Sequence, residues 1–137
     1  MSKFFKVNVS AVIVKDNEIL IQKRSENEEV YPGLWGIPGG TAEMTDKNLM
    51  AALKREVKEE VGVDIDIVGL LSENIVAKEM YGVVYLVYVA LYVSGEVKPL
   101  DGTSEVLWVS DIEPFVFTPT TKEAIKSVWN ALSPLRV

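Results

Sequence analysis

Arg55, Glu56, Glu59 and Glu60 are where this chain concentrates side chains able to do chemistry. From Asn48 to Val61 there is no proline or glycine and most residues are good helix formers. Asn48 or Asp46 can accept hydrogen bonds from the first free amides, and Gly62 is the expected stop. On such a helix the three glutamates stand at i, i+3 and i+4 and share one side. Met50, Leu53, Val57 and Val61 form an apolar stripe on another, for burial against a core. Two carboxylates about 6 Å apart repel by roughly 3 kcal/mol at an effective dielectric of about 20, so the acidic side calls for compensating charge. Lys54, Arg55 and Lys58 supply part of it. A hard divalent cation would supply more, because Mg²⁺ takes carboxylate oxygens and keeps waters for a phosphate-bearing substrate. A solvated acidic face is the plainer reading of an isolated run of this kind.

The spacing favours the metal reading. Arg55 to Val63 runs arginine, glutamate, aliphatic, any residue, two glutamates, any residue, glycine, aliphatic, and a Pro38-Gly39-Gly40 turn precedes the helix. This order resembles the second half of the Nudix hydrolase signature and matches it at every fixed position. The first half departs from the pattern. Counted back from Arg55, the family's first glutamate falls on Lys47; counted forward from Gly40, it falls on Asp46, with one residue too many before Arg55. We read this as a one-residue insertion in the loop, with Asp46 as the stand-in. The stretch Pro32 to Gly40, PGLWGIPGG, is similar to the family's lead-in, and the signature region as a whole spans residues 39–63.

The resemblance implies hydrolysis of a pyrophosphate linkage in a nucleoside diphosphate derivative, with Mg²⁺, or Mn²⁺ in its place, as cofactor. It implies Glu56, Arg55 and Glu59 as the catalytic group, and Glu59, Glu60, Glu56 and the Gly39 carbonyl as metal ligands. Arg24, Gly39 and Gly40 would contact substrate, Arg24 because a similarly placed arginine in relatives touches phosphate or base; the alternative is that Lys23 and Arg24 only charge a strand edge. Arg55 would orient the glutamates, and Glu56 would bind metal through water or act as base. In some relatives the base is a distant loop glutamate, for which Glu73, Glu79, Glu96 and Glu105 are open positions here.

Composition narrows the chemistry. The chain has no cysteine and no histidine, which excludes thiol, imidazole and zinc-thiolate roles. A net charge of −6 argues against a stable nucleic-acid complex, which needs a basic surface. The 137 residues suit a single domain, 1–137, and the mix of 48% hydrophobic and 25% charged residues is that of a globular protein. Phe4 to Val14 carries no signal-peptide pattern, and the longest apolar run, Val83 to Val93, falls short of the roughly 20 residues of a membrane span. Cytoplasmic residence, no membrane partner and a small nucleotide ligand are the expectations, and the resemblance is compatible with a homodimer.

The elements that must position the acidic helix follow in order. Phe5 to Val14 and Glu18 to Lys23 predict a hairpin about Lys15-Asp16-Asn17. The glycines of the lead-in are expected to supply unusual backbone angles and to let the Gly39 carbonyl approach a metal. Trp35 is a packing residue. Beyond the helix, Ile65 to Leu71 predicts a strand, 72–80 a polar loop, Val83 to Val93 a buried central strand, and Glu105 to Val109 a short strand. Ser110 is a cap for a helical turn at Asp111 to Glu113. A final helix starts at Thr118-Pro119 or at the capping box Thr120 to Glu123, presents Ile125, Val128, Trp129 and Leu132 to the sheet, and ends before Pro134. This order predicts an α/β fold with a mixed sheet between helices. The resemblance sharpens it to the Nudix-type α/β/α sandwich over roughly residues 5–132.

Substrate is implied only by family likeness. A short chain with a compact N-terminal hairpin is similar to nucleoside triphosphate pyrophosphohydrolases that act on normal or oxidised nucleotides. Tyr81, 18 residues after Val63, sits where relatives acting on dinucleoside polyphosphates carry a tyrosine. Nucleotide sugars such as ADP-ribose are a further alternative, and a nucleotide-sensing module without turnover is the reading from another class.

Overall fold

The computed structural model describes residues 3–132, and of Leu132 the backbone alone. The Pro134 stop lies outside the described residues. β1 (Phe5–Lys15) and β2 (Glu18–Arg24) are joined by a tight turn in which Asp16 takes a φ of 55°, and Val14 pairs with Ile19. Both strands are apolar on both sides, as strands covered by two layers are. Val9, Ala11, Ile13 and Leu20 enter one core, and Val12, Val14, Ile19 and Ile21 enter the other.

Short strands β3 (Trp35–Gly36) and β4 (Gly39–Thr41) lead into α1 (Leu49–Val61), followed by β5 (Asp64–Ala77), β6 (Gly82–Ser94), β7 (Thr103–Val109) and α2 (Thr121–Leu132). The sheet order is β3-β2-β1-β6-β5, with β4 on β1 and β7 on β2. Among the described strands β1 and β6 pair in parallel, which the long crossover through α1 permits, and the other strand pairs are antiparallel. Ala52, Leu53, Val57 and Val61 of α1 close one core, while Ile125 and Val128 of α2 close the other. The result is the α/β/α sandwich with a mixed sheet. No described helix is long and apolar enough to cross a membrane.

Four local expectations change. The polar stretch after Leu71 is not a loop as far as Ala77, because β6 pairs with it to Ala77↔Gly82 and bulges near Val68 and Leu71 absorb the irregular pattern. β6 is half-buried rather than buried: Leu91 and Val93 are exposed, while Ala90 is buried and Leu86, Val87 and Val89 pack partly buried against the two cores. Met50 is 54% exposed, and Ala52 takes its place in the buried stripe. Residues 111–113 form a turn, not a helix, with the Asp111 carboxylate, rather than Ser110, accepting the Glu113 N–H at 3.0 Å.

Candidate active site

Helix α1 is held at both ends by local chemistry. The Asn48 side chain accepts the Ala51 N–H at 2.8 Å, and Gly62 closes the helix at a φ of 79°, its N–H reaching the Lys58 carbonyl at 3.1 Å. Asn48 thus takes the capping role, which leaves Asp46 for another partner.

That partner is Arg55. Its Nε and Nη2 donate to the two carboxylate oxygens of Asp46, each at 2.8 Å, while Nη1 donates to Glu56 at 3.0 Å and to Glu59 at 3.2 Å. Asp46 also accepts the Glu43 N–H at 2.8 Å, which folds the inserted loop around it. A bidentate fork of this kind fixes the guanidinium plane. The Arg55 hydrogen bonds, with the Glu43 N–H second, hold the Asp46 carboxyl down at about 2, and Asp46 in turn raises Arg55 above its ordinary value. Lys58 does not serve the acidic face: it pairs with Asp64 at 3.2 Å.

The three glutamates have different surroundings. Glu59 is 48% exposed and pairs with Arg55 at 3.2 Å. Glu56 is 14% exposed, and burial raises its pKa against the opposing pull of Arg55. Glu60 is turned inward: its Oε1 accepts the Gly39 N–H at 2.9 Å and the Gln22 amide at 3.3 Å, yet burial still pushes its carboxyl up to about 7.

Gly39 and Gly40 are required for closeness, not for unusual backbone angles, since neither has a positive φ. β4 pairs with β1 through Gly39↔Ser10 and Gly40↔Val9. A methyl on Gly39 would strike the Val9 carbonyl and Ser10, and one on Gly40 would fall on the Glu56 carboxylate.

Beside this edge opens a cleft of about 870 Å³. Asn8 and Ser10 of β1, Gln22 and Arg24 of β2, Gly39 and Thr41 of β4, Tyr85 of β6, and Thr118 to Thr121 with Glu123 at the start of α2 line it. Arg24 is among the lining residues, with its Nε on the Val30 carbonyl at 2.7 Å and Nη2 3.8 Å from Glu28. Of the distant glutamates, Glu73 lines the cleft, Glu105 pairs with Lys23, Glu96 lies near Lys98, and Glu79 lines a smaller hollow at the β5–β6 turn. The Tyr81 ring stacks on Phe4 at 5.5 Å and carries the Lys6 ammonium 4.7 Å from its centroid. Trp35 packs edge-on against Phe115 at 5.0 Å. Gln22, Asn8 and Ser10 are lining residues that motif reasoning passes over. Their signal is polar side chains interrupting otherwise apolar strands.

The donor set fits a hard cation. The groups facing the Gly39–Gly40 edge are carboxylates, the donors a hard cation takes; Arg55 compensates Glu56, whereas Glu60 meets the neutral donors Gly39 N–H and the Gln22 amide. Among the described residues no group of three or more acidic side chains is already gathered to hold a metal ion.

The NUDIX domain profile matches residues 4–127. The chain belongs to the Nudix family of pyrophosphohydrolases. It is similar to a protein from Escherichia coli K12 described as nucleoside triphosphatase NudI, at 26% identity over 132 residues, covering 86% of this chain and 92% of that one. Among solved structures it is similar to a MutT NUDIX hydrolase from Burkholderia pseudomallei, with a TM-score of 0.78 and 29% identity over 90% of this chain and 98% of that one. A MutT protein from Methanosarcina mazei Go1 superimposes with a TM-score of 0.76 and 26% identity, over 97% and 98% of the two chains.

Proposed function

We propose that the protein, as one domain over residues 1–137, hydrolyses a nucleoside triphosphate to the monophosphate and pyrophosphate, using Mg²⁺ or Mn²⁺. The observation that carries this reading is Gly39, which both lines the cleft and donates its N–H to Glu60. The acidic face of α1 and the nucleotide-sized cleft therefore meet at one strand edge, and a phosphate chain leaving the cleft would pass over the glutamates.

Glu59 and Glu60 would hold the metal, with the Gly39 carbonyl beside them and Glu56 either ligating through water or accepting its proton. Bound there, a divalent cation neutralises the phosphate oxygens and lowers the pKa of a coordinated water. The chain's own residues do the rest. Arg55, clamped by Asp46, keeps Glu56 and Glu59 from rotating away. Arg24 stands in the cleft as the cation for phosphate or base. Water attacks phosphorus, the phosphorus–oxygen bond of the linkage breaks, and a carboxylate, Glu56 or the cleft-lining Glu73, takes the proton. The relative described as a nucleoside triphosphatase supports this substrate class.

A dinucleoside polyphosphate reading would rest on Tyr81, whose ring is engaged by Phe4 and Lys6 and so is less suited to stacking a second base. The ADP-ribose-like reading has no separate support in the cleft. A sensing module without turnover is disfavoured by the intact set of Arg55, Glu56, Glu59 and Glu60.

The test is product analysis by mass spectrometry in isotopically labelled water with Mg²⁺. The panel is normal and oxidised nucleoside triphosphates, ADP-ribose and diadenosine polyphosphates, with Glu60→Gln as control. Monophosphate and pyrophosphate are expected, with the label showing which phosphorus was attacked. Full activity in Glu60→Gln overturns the metal assignment, and binding without products makes the sensing reading the better one.

A further inference from the structure

Gln22 is 6% exposed, lies on β2 immediately after the core residues Ile19, Leu20 and Ile21, and yet borders the cleft. Its Nε2 donates to Glu60 Oε1 at 3.3 Å. Glu60 Oε1 also accepts the Gly39 N–H at 2.9 Å and so stands as an acceptor toward this wall, which places the Gln22 NH₂ toward Glu60 and turns its carbonyl oxygen away. The carbonyl oxygen, Oε1, is buried and has no hydrogen-bond partner among the described residues. A buried acceptor left unmade is costly, and Gln22 borders the cleft along the wall where Gly39 meets the acidic helix. Gly39 shares that wall, donating to the same Glu60 oxygen at 2.9 Å.

We propose that Gln22 is a positioning residue that couples the two halves of the site. Its Nε2 holds Glu60 in the orientation needed for the cation, and its Oε1 accepts a hydrogen bond from a donor group, hydroxyl or N–H, of the nucleotide bound in the cleft. This rests on the hydrolase reading above and adds a residue and a direction of communication to it. The neighbouring polar residues do not replace it. Asn8 and Ser10 stand on β1, and Arg24, two residues along β2, is tied to Val30 and Glu28. A nucleotide that satisfies Oε1 makes the amide a better donor, because chained hydrogen bonds polarise one another, and so tightens the hold on Glu60.

The experiment compares wild type with Gln22→Met, which keeps length and volume but removes both hydrogen bonds, and Gln22→Asn, which keeps an amide too short to reach Glu60. Mg²⁺ binding is titrated calorimetrically without nucleotide, nucleotide binding is titrated without metal, and steady-state kinetics follow on the panel. The melting temperature of each variant confirms folding, and either one serves for the Mg²⁺ comparison if the other does not fold. Both are expected to bind Mg²⁺ about 10-fold more weakly, as loss of a partner behind a metal ligand typically does. Gln22→Met is further expected to bind nucleotide several-fold more weakly without metal, from the loss of one neutral hydrogen bond. Unchanged Mg²⁺ affinity in both variants overturns the hold on Glu60. Unchanged nucleotide affinity in Gln22→Met overturns the contact from the cleft, and either result alone overturns the coupling. A wild type that binds both ligands without turnover sinks the hydrolase reading instead, while the binding comparison still decides the role of Gln22.

Discussion

At the scale of single residues, the site is a problem of unequal carboxylates. Asp46 faces a cation and one backbone donor; Glu60 faces two neutral donors and a desolvated wall. Their pH behaviour should therefore be opposite. The Asp46 pKa is lowered from 3.8 to about 2, so its contribution to stability is fully present above pH 3.8 and is lost as pH falls through 2. In acid unfolding followed by circular dichroism, the stability gap between wild type and Asp46→Asn should close over that window. Glu60 is raised from 4.5 to about 7, so the fold favours its protonated form. The metal-free protein should lose stability as pH rises from 4.5 to 7. Glu60→Gln should abolish that loss and melt higher than wild type above pH 7 without metal, with no difference below 4.5. Asp46→Ala should lower kcat by about 10- to 100-fold by freeing Arg55 from its fork, whereas Glu60→Gln should fall further.

At the scale of elements, the α1 signature helix works only because β4 can lie close against β1 and Glu56. Gly39→Ala should destabilise the protein by about 1–3 kcal/mol in denaturant titration, because its methyl meets the backbone of β1. Gly40→Ala should leave the melting temperature less affected and reduce kcat more, because what must yield is the carboxylate end of the Glu56 side chain rather than backbone. Equal loss of stability in the two variants would refute this division of labour. The helix itself was legible beforehand. Its cap, its stop, and the burial of Leu53, Val57 and Val61 are consequences of spacing along a few turns. Met50 was misplaced because periodicity says which side a residue faces, not whether the sheet extends beneath it.

At the scale of the whole molecule, one sheet separates two cores, and each helix closes one of them. Leu53→Ala and Ile125→Ala should each cost about 2–5 kcal/mol, and the double variant should cost their sum to within about 0.5 kcal/mol, as measured by chemical denaturation. A clear departure from additivity would mean that the sheet transmits strain between its faces. The sequence by itself determined α1, its acidic side, the first hairpin and the family likeness from Arg55 to Val63, because helix and turn formation depend on neighbours a few residues apart. Tertiary structure decided what those elements meet. Asp46 reaches Arg55 nine residues on, Gln22 reaches Glu60 across 38, β1 runs parallel to β6, and the cleft is assembled from β1, β2, β4, β5, β6 and α2. Those contacts depend on how the layers pack, and packing leaves no period in the chain to read.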